Sequence, residues 1–234
     1  MKSAARVLLI GAAGRMGQTV SSLATNDPDV EIVAQCDLGD PIEPAMKNCD
    51  LAIDFSHADA IIEICRAALR QNKPLVIGTT GHSQEQRGTI EEAAQSLPIV
   101  LASNFSVGVN ALFWLTRKAA ELLGPAFNPE IIETHHKMKK DAPSGTAKTL
   151  AETLKAAQKI GKKIPIQSIR EGDVVGEHTV IFSGPGERLE ITHRAANREI
   201  FAGGALRAAK WVMGRPPGMG RPPGLYSMQD VLGL

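Results

Sequence analysis

Short apolar runs alternate with longer amphipathic stretches over roughly the first hundred residues of the chain. Apolar strands separated by helices are typical of a parallel sheet covered by helices on both faces. The pattern therefore predicts an α/β, Rossmann-like doubly wound parallel sheet. Its candidate strands are Arg6–Ile10, Glu31–Cys36, Leu51–Phe55, Leu75–Gly78 and Ile99–Ala102, and its helical patterns include Asp59–Gln71 and Ser83–Ser96.

The pattern changes after Asn104 and predicts a second domain. Strand-like runs separated by Gly and Pro turns indicate an antiparallel or mixed sheet accompanied by helices, an α+β arrangement. We therefore expect one domain over residues 1–104, rejoined by residues 213–234, and another over residues 105–212. The predicted helices are Val109–Leu123, about Ser144 to Lys159, and Glu199–Met213, and the predicted strands are Glu130–Thr134, Pro165–Arg170, His178–Ser183 and Arg188–His193.

Residues Gly214–Gly224 repeat one pentapeptide in tandem around Met219, in the sequence G-R-P-P-G-M-G-R-P-P-G. A short proline-rich repeat of this kind predicts a rigid, polyproline-like surface loop. A ligand for proline-recognising domains is the alternative interpretation.

Composition excludes several classes of function. The chain of 234 residues carries 26 Lys+Arg against 25 Asp+Glu, whereas general nucleic-acid or membrane-surface binding calls for a basic excess. No apolar run approaches the ~20 residues that span a bilayer, and the apolar start is too short for a signal peptide. The three cysteines lack metal-ligand spacing, so reduced thiols in a cytoplasmic protein are expected.

A glycine-rich turn, Gly11-Ala12-Ala13-Gly14-Arg15-Met16-Gly17, follows the first predicted strand and opens an amphipathic helix. Glycines at this junction let the backbone approach a pyrophosphate, and the helix N-terminus favours an anion. The spacing G-x-x-G-x-x-G is a variant of the commoner G-x-G-x-x-G. The turn predicts dinucleotide binding; a tight turn without a ligand is the alternative.

Asp37 ends the second predicted strand, where an acidic side chain accepts hydrogen bonds from the adenosine ribose of NAD. Its carboxylate repels the additional phosphate of NADP, and Leu38 offers no guanidinium to compensate, so NADH is the expected cofactor, with NADPH possible as a second. Later strands end in Gly78-Thr79-Thr80-Gly81 and Ala102-Ser103-Asn104-Phe105. Small and polar residues at these strand ends are candidates for the nicotinamide half of the site.

The loop Glu133–Thr146, E-T-H-H-K-M-K-K-D-A-P-S-G-T, concentrates the remaining chemistry. Ser144 predicts a helix cap, and the first amides of that helix with the Thr146 hydroxyl predict a carboxylate site. His135 and His136 project in opposite directions, so one is expected at the reacting centre and the other on the substrate. Lys139 suits either a carboxylate or developing negative charge.

Taken separately, these side chains also fit a solvated basic surface loop. No metal is predicted, because no cysteine or third histidine has supporting local spacing. The other histidines lack comparable neighbours in the sequence and are interpreted as structural or without a role; they are His57, His82, His178 and His193.

Six segments together resemble the 4-hydroxy-tetrahydrodipicolinate (dihydrodipicolinate) reductase family over nearly the whole chain. They are the glycine turn with Gly78-Thr79-Thr80, Asn104–Asn110, the E-x-H-H-x-x-K-x-D-A-P-S-G-T-A run, and the two later runs Gly176–Thr179 and Glu187–His193. The long loop motif is highly specific, whereas the glycine turn is not.

The resemblance implies a Rossmann cofactor domain, a mixed-sheet substrate and tetramerisation domain, and a cytoplasmic homotetramer in lysine and diaminopimelate biosynthesis. A nicotinamide cofactor would reduce a cyclic dicarboxylate to tetrahydrodipicolinate. His135 would donate or accept a proton, Lys139 would donate a second, and His136, Gly145 and Thr146 would bind substrate. The implied cofactor contacts are Gly11, Ala12, Ala13, Gly14, Arg15, Met16, Asp37, Gly78, Thr79, Thr80, Ala102, Ser103, Asn104 and Phe105.

Leu38 departs from the family, many members of which carry arginine at that position, and this supports the expected NADH preference. Two other functions fit the same residues. A non-catalytic NADH sensor or scaffold would bind cofactor without oxidising it, and a reductase of the same architecture would act on a different acid. Neither nucleic acid nor a membrane is an expected partner.

Overall fold

A computed structural model describes residues 4–159, 161, 163–214 and 220–234. The chain divides into two compact units. One comprises the described residues up to Phe105 together with those of Glu199–Gly233, and the other comprises those of Ser106–Arg198. The second unit is therefore an insertion within the first.

The first unit is built on a six-stranded sheet in which every pairing is parallel, as the sequence predicted. The strand order is β10-β5-β4-β3-β1-β2. The buried side chains of successive β1 residues face opposite sides of the sheet, because side chains alternate along a strand. The strands are β1 Ala5–Ile10, β2 Val30–Cys36, β3 Leu51–Asp54, β4 Leu75–Ile77, β5 Pro98–Leu101 and β10 Gly224–Tyr226.

Helices cover both faces of this sheet and create two separate hydrophobic cores. Val7 and Leu9 belong to one core, with residues of α1, α7 and α8, whereas Leu8 and Ile10 belong to the other, with residues of α2, α3 and α4. The doubly wound architecture is thereby confirmed. The helices are α1 Arg15–Ala24, α2 Ile42–Met46, α3 Ile61–Gln71, α4 Gln84–Ala94, α7 Glu199–Val212 and α8 Met228–Leu232.

Helix α7 corrects the expected domain organisation, which placed residues up to 212 in the second domain. The helix lies in the first unit instead, where it packs against α1 and against β3, β4 and β5. Small side chains permit this close packing: a Cβ on Gly204 would lie 1.9 Å from the carbonyl oxygen of Phe105. The chain consequently returns to the first unit at Glu199 rather than at residue 213.

The second unit contains the predicted mixed sheet, in the order β7-β6-β8-β9. Strand β6 pairs in parallel with β7 and antiparallel with β8, and β8 pairs antiparallel with β9. Helices α5 and α6 pack together and share a core with β6 and β8. The elements are α5 Val107–Leu123, β6 Asn128–His135, α6 Gly145–Gln158, β7 Ile166–Arg170, β8 Gly176–Gly184 and β9 Glu187–Ala195.

Two further expectations concern the surface and the thiols. The centre of the Gly214–Gly224 repeat, predicted as a polyproline-like loop, lies outside the described residues. Cys36, Cys49 and Cys65 are free and buried. Within the described part of the chain, no helix combines the length and apolar character that crossing a membrane requires.

Candidate active site

The glycine turn occupies the place where strand order reverses, since β1 pairs with β2 on one side and with β3 on the other. Ligands of open parallel sheets bind at such a switch point. Gly11 has φ +81°, and a Cβ there would lie 2.5 Å from the Phe55 carbonyl oxygen. A Cβ on Gly17 would lie 2.2 Å from the Gly11 carbonyl oxygen. Both positions therefore require glycine.

The start of α1 suits an anion. Its N-cap residue, Gly14, provides no capping side chain, so the first-turn amides have no partner from that residue. Ala13, Gly14 and Arg15 are exposed, whereas Ala12 is buried and Met16 is half-buried. An exposed helix N-terminus beside a cationic side chain favours a pyrophosphate.

A cavity of about 830 Å³ lies at the carboxyl ends of β1, β2 and β3, next to this turn. The Asp37 carboxylate stands at its side and accepts hydrogen bonds from the Ala13 amide at 3.0 and 3.1 Å. The same carboxylate thus braces the glycine turn and faces the cavity that an adenosine would enter. The residues lining the cavity include Gly11, Gly14, Asp37, Leu38, Asp40, Phe55, Ser56, His57, Asp59 and Glu63.

The two other predicted cofactor segments follow β4 and β5 in the same unit. Thr79 is buried and Thr80 exposed after β4; after β5, Ser103 is exposed, Ala102 and Asn104 are half-buried, and Phe105 is buried. Phe55, which the sequence did not single out, connects these segments. Its ring packs edge-on against Phe105 at 5.9 Å and lies where a Cβ on Gly78 would stand, 2.2 Å away. Gly78 is therefore explained by packing against Phe55.

In the second unit, His135 ends β6 and is only 8% exposed. Its Nδ1 is hydrogen-bonded to Oε2 of Glu133, two residues earlier on the same face of the strand. Arg170 donates to both oxygens of that carboxylate, at 3.0 and 2.9 Å. Burial raises the pKa of Glu133, but hydrogen bonds from Arg170, Ser168 and His135 outweigh it and bring the pKa to about 2. Glu133 is therefore an anion at neutral pH.

Burial lowers the pKa of His135, and Glu133 opposes this shift by attracting the protonated form. The charges of Lys139 and Arg170 lower the pKa further. A buried imidazole that is neutral at rest but has a carboxylate partner can gain and lose a proton during a reaction. Glu133 and Arg170 were both missing from the predicted site residues.

His178 is a correction to the sequence analysis, which treated it as lacking functional neighbours. Its ring lies edge-on to the His135 ring, with centroids 5.1 Å apart. Its Nε2 is 3.1 Å from the Ser144 hydroxyl, which also caps α6 by accepting from the Ala147 amide at 3.2 Å. The register of β6 and β8 creates this arrangement by pairing Glu133 with His178, and that register cannot be derived from one sequence.

Lys139 lies in the loop that joins β6 to α6, paired with Asp141 at 2.8 Å between Nζ and Oδ1. Arg170 fastens this loop by donating to the Asp141 carbonyl oxygen at 2.6 Å. The same loop carries half-buried His136, whose amide donates to the Val174 carbonyl oxygen at 2.7 Å. The loop is therefore held at both ends of its lysine-rich part.

Helix α6 begins at Gly145, and Ser144 is its cap as predicted. Gly145 is exposed with open space where a side chain would stand, and Thr146 is half-buried. An exposed glycine in the first turn lets a carboxylate approach the helix N-terminus. The structure thus brings His135, Lys139, His136, Gly145 and Thr146 to one loop and the helix that follows it.

Glu133, His135 and His178 also place three potential metal ligands within 4.8 Å of one another, all buried. Both Glu133 oxygens, however, accept hydrogen bonds from the Arg170 guanidinium. A positive charge at that distance opposes a second cation. The neighbouring guanidinium therefore makes these three residues a poor site for a metal cation.

Comparison with known proteins covers both units. The model of the dihydrodipicolinate reductase N-terminus matches residues 5–105, and that of the dihydrodipicolinate reductase C-terminus matches residues 108–232. The 4-hydroxy-tetrahydrodipicolinate reductase of Akkermansia muciniphila is 50% identical, with 97% of this chain and 98% of that protein covered. The Methanoculleus marisnigri reductase is 43% identical, covering 98% of this chain and 99% of that protein.

Among solved structures, dipicolinate-bound dihydrodipicolinate reductase from Paenisporosarcina sp. TG-14 has the same fold. Its TM-score is 0.81 at 24% identity, with 97% of this chain and 98% of that chain covered. The family models span both units and the relatives are similar over nearly their full length. The chain therefore belongs to the dihydrodipicolinate reductase family.

Proposed function

We propose that this chain is a 4-hydroxy-tetrahydrodipicolinate reductase, which uses a nicotinamide cofactor to reduce a cyclic dicarboxylate to tetrahydrodipicolinate in diaminopimelate and lysine biosynthesis. The observation that carries the proposal is the buried His135–Glu133 pair. It lies beside a lysine-bearing loop and a helix N-terminus, in a chain whose full length resembles reductases with that name. The dipicolinate bound to the structural relative is itself a cyclic dicarboxylate.

In this proposal the first unit holds the dinucleotide. The amides at the start of α1 bind the pyrophosphate, and Asp37 accepts hydrogen bonds from the adenosine ribose. The segments Gly78–Thr80 and Ala102–Phe105 line the nicotinamide half. The geometry fits the group because side chains at Gly11 and Gly17 would collide with backbone, so the turn is compact, and because Ala13, Gly14 and Arg15 at the start of α1 are exposed. When bound, the dihydronicotinamide supplies the hydride.

The walls of the cavity support a preference for NADH over NADPH. Asp37, Asp40, Asp59 and Glu63 line it, and the residues described as lining it include neither lysine nor arginine. Leu38 is fully exposed there, where many family members carry arginine. A ribose phosphate would meet carboxylates without a compensating cation. The Michaelis constants for NADH and NADPH, measured with the same substrate, test this; a clear NADPH preference would refute it.

The second unit binds and protonates the substrate in this proposal. Lys139, His136 and the first residues of α6, Gly145 and Thr146, bind carboxylates. The pairing of Lys139 with Asp141 supports this role, since the lysine already binds a carboxylate in a half-exposed position. His135 donates or accepts the proton that accompanies the hydride, and Lys139 is placed to donate a second. The cyclic acid first loses water, so that one donated proton leaves with the hydroxyl group and the ring gives up a proton to a base. The dehydrated ring then gains one hydride and one proton.

A coupled assay separates this function from its alternatives. The cyclic acid is generated enzymatically in the assay, and loss of NADH absorbance is followed. Substrate-dependent NADH oxidation is expected. Tight NADH binding without oxidation would instead support a non-catalytic sensor, and oxidation only with another acid would support a reductase of different specificity.

We further propose that the protein is a cytoplasmic homotetramer, as the family resemblance implies. Exposed apolar side chains on the second unit, including Leu122 at 86% and Leu189 at 41% exposed, support association of copies. Light scattering coupled to size exclusion should give four times the mass of one chain. A monomeric mass over micromolar concentrations would refute the tetramer.

A further inference from the structure

The Glu133 carboxylate is fully buried and is held by more donors than a simple ion pair requires. Oε1 accepts from Arg170 Nη2 at 2.9 Å and from the Ser144 amide at 3.3 Å. Oε2 accepts from Arg170 Nη1 at 3.0 Å and is hydrogen-bonded to His135 Nδ1. Strand β7, the cap of α6 and the end of β6 therefore all hold this one carboxylate in place.

An ionised carboxylate only accepts hydrogen bonds. Its Arg170 and His135 hydrogen bonds keep Glu133 ionised, so the ring nitrogen beside it must be the donor. The proton of neutral His135 therefore lies on Nδ1, and the lone pair lies on Nε2. Glu133 selects one of the two tautomers of His135 in this way.

Gly176, the first residue of β8, places no side chain beside the other nitrogen of the His135 ring. A Cβ at this position would lie 3.1 Å from His135 Nε2 and 3.4 Å from its Cδ2. Gly176 does not have a positive φ, so its backbone conformation does not explain the glycine. The absence of a side chain is instead explained by the nearby ring nitrogen.

We propose that Glu133 is a positioning residue that holds His135 in the Nδ1–H tautomer, and that Gly176 keeps Nε2 open, so that the proton of the reduction moves through Nε2. The proposal rests on the proposed function of His135. When His135 acts as donor, the Nε2–H bond breaks and the proton passes to the substrate, while Nδ1–H remains bonded to Glu133. The imidazolium that precedes this step forms when Nε2 of neutral His135 takes up a proton from water, and Glu133 stabilises it.

A purely structural role for Glu133 is the competing explanation, because the Glu133–Arg170 pair also fastens β6 to β7. The tautomer of His135 and the pH dependence of kcat distinguish the two roles, because a residue that only links β6 to β7 would control neither. The variant Glu133→Gln removes the charge and lets an amide face Nδ1 as donor or acceptor. Glu130→Gln is the matched control, on the same strand but on the opposite face.

The direct readout is the tautomer of His135 in ¹⁵N-labelled protein, measured by two-bond nitrogen–proton correlations near pH 7.5. Wild type and Glu130→Gln are expected to carry the proton on Nδ1, and Glu133→Gln is expected to show a mixture. A wild-type protein with the proton on Nε2 would overturn the proposal without any variant, so the test does not depend on Glu133→Gln folding.

Kinetics provide the second readout. In Glu133→Gln we expect kcat to fall about 10- to 100-fold, less than the ~10²–10⁴ that general acid–base catalysis contributes in full. The apparent pKa that His135 gives to the pH profile of kcat should fall, because Glu133→Gln removes the carboxylate that stabilises the imidazolium. The KM for NADH should stay within about twofold of wild type. An unmoved pH profile would overturn the proposal.

Gly176→Ala tests the open nitrogen separately. Turnover is expected to fall while the Nδ1–H tautomer persists, and full turnover would overturn the role of Gly176. Failure of the proposed function has a different signature: wild-type protein would show no substrate-dependent NADH oxidation. The tautomer measurement would still decide whether Glu133 positions His135.

Discussion

His178 makes the second unit sensitive to acid, and the effect is large enough to measure. The side chain is only 4% exposed. Burial is the largest cause that lowers its pKa from 6.5 to about 3; Lys139, and His135 and His193 when protonated, lower it further, while Glu133 opposes the shift. The folded protein therefore keeps His178 neutral at a pH where an exposed histidine is protonated.

Unfolding exposes His178 to water and restores its ordinary pKa, so below about pH 6.5 the unfolded chain binds a proton that the folded chain excludes. The contribution of neutral His178 to the free energy of unfolding is fully present above pH 6.5 and is lost as the pH falls towards about 3. About pH 4.5 lies two pH units below the unfolded value. At about 1.36 kcal/mol per unit, the free energy of unfolding should decrease by roughly 2.5 kcal/mol between pH 7 and pH 4.5.

Urea unfolding of wild type and His178→Gln at about pH 7 and pH 4.5 tests this magnitude. Trp114 lies in α5, so its fluorescence in a Trp211→Phe background reports on the second unit. Wild type should lose roughly 2.5 kcal/mol more than His178→Gln on acidification. The exposed His57 provides the control variant, His57→Gln, which should behave like wild type. Equal losses in all three proteins, or an NMR titration of His178 near pH 6.5, would refute the reasoning.

Three further predictions concern the cofactor turn, cofactor choice and proton transfer. Gly17→Ala should destabilise the first unit by about 1–3 kcal/mol in urea unfolding, because the new Cβ would lie 2.2 to 2.7 Å from backbone atoms of Gly11 and Ala12; Gly203→Ala, which has open space, is the control, and equal stability of the two would contradict this. Leu38→Arg should lower the KM for NADPH at least about tenfold by adding a cation to the acidic cavity; an unchanged NADPH/NADH ratio would count against it. His135→Ala should lower kcat by about 10²–10⁴ with NADH affinity unchanged, as measured by fluorescence titration; unchanged turnover would remove His135 from the mechanism.

Most strands and helices were predictable to within a few residues, because continuous apolar runs and glycine turns define them locally. The elements that the sequence analysis missed are α2, α8 and β10, with only 5, 5 and 3 residues. Too few residues belong to each for a periodic pattern to appear. The assignment of α7 to the second domain was wrong for a different reason. A helix rich in buried alanine and glycine fits against any apolar surface, so tertiary packing decides its partner.

The candidate site was predictable where it depends on neighbouring residues of one strand, and not where it depends on pairing between strands. Glu133 and His135 are two residues apart on a strand, so their common face follows from alternation alone. Arg170 and His178 reach them through strand pairings with β7 and β8. Arg170 and His178 lie 37 and 45 residues after Glu133 in the chain. No local pattern in the sequence therefore indicates that they are its neighbours.

The insertion of the second unit within the first has a consequence for the order in which the protein forms during synthesis. The segments of the second unit form one continuous stretch, so all of them are available once residue 198 has left the ribosome. The first unit still lacks α7, its sixth strand and the Lys210 partner of Asp27, 183 residues away. Domains usually complete in chain order from the N-terminus. Here we expect the later-encoded unit to complete first, while the nascent nucleotide-binding sheet awaits its last strand.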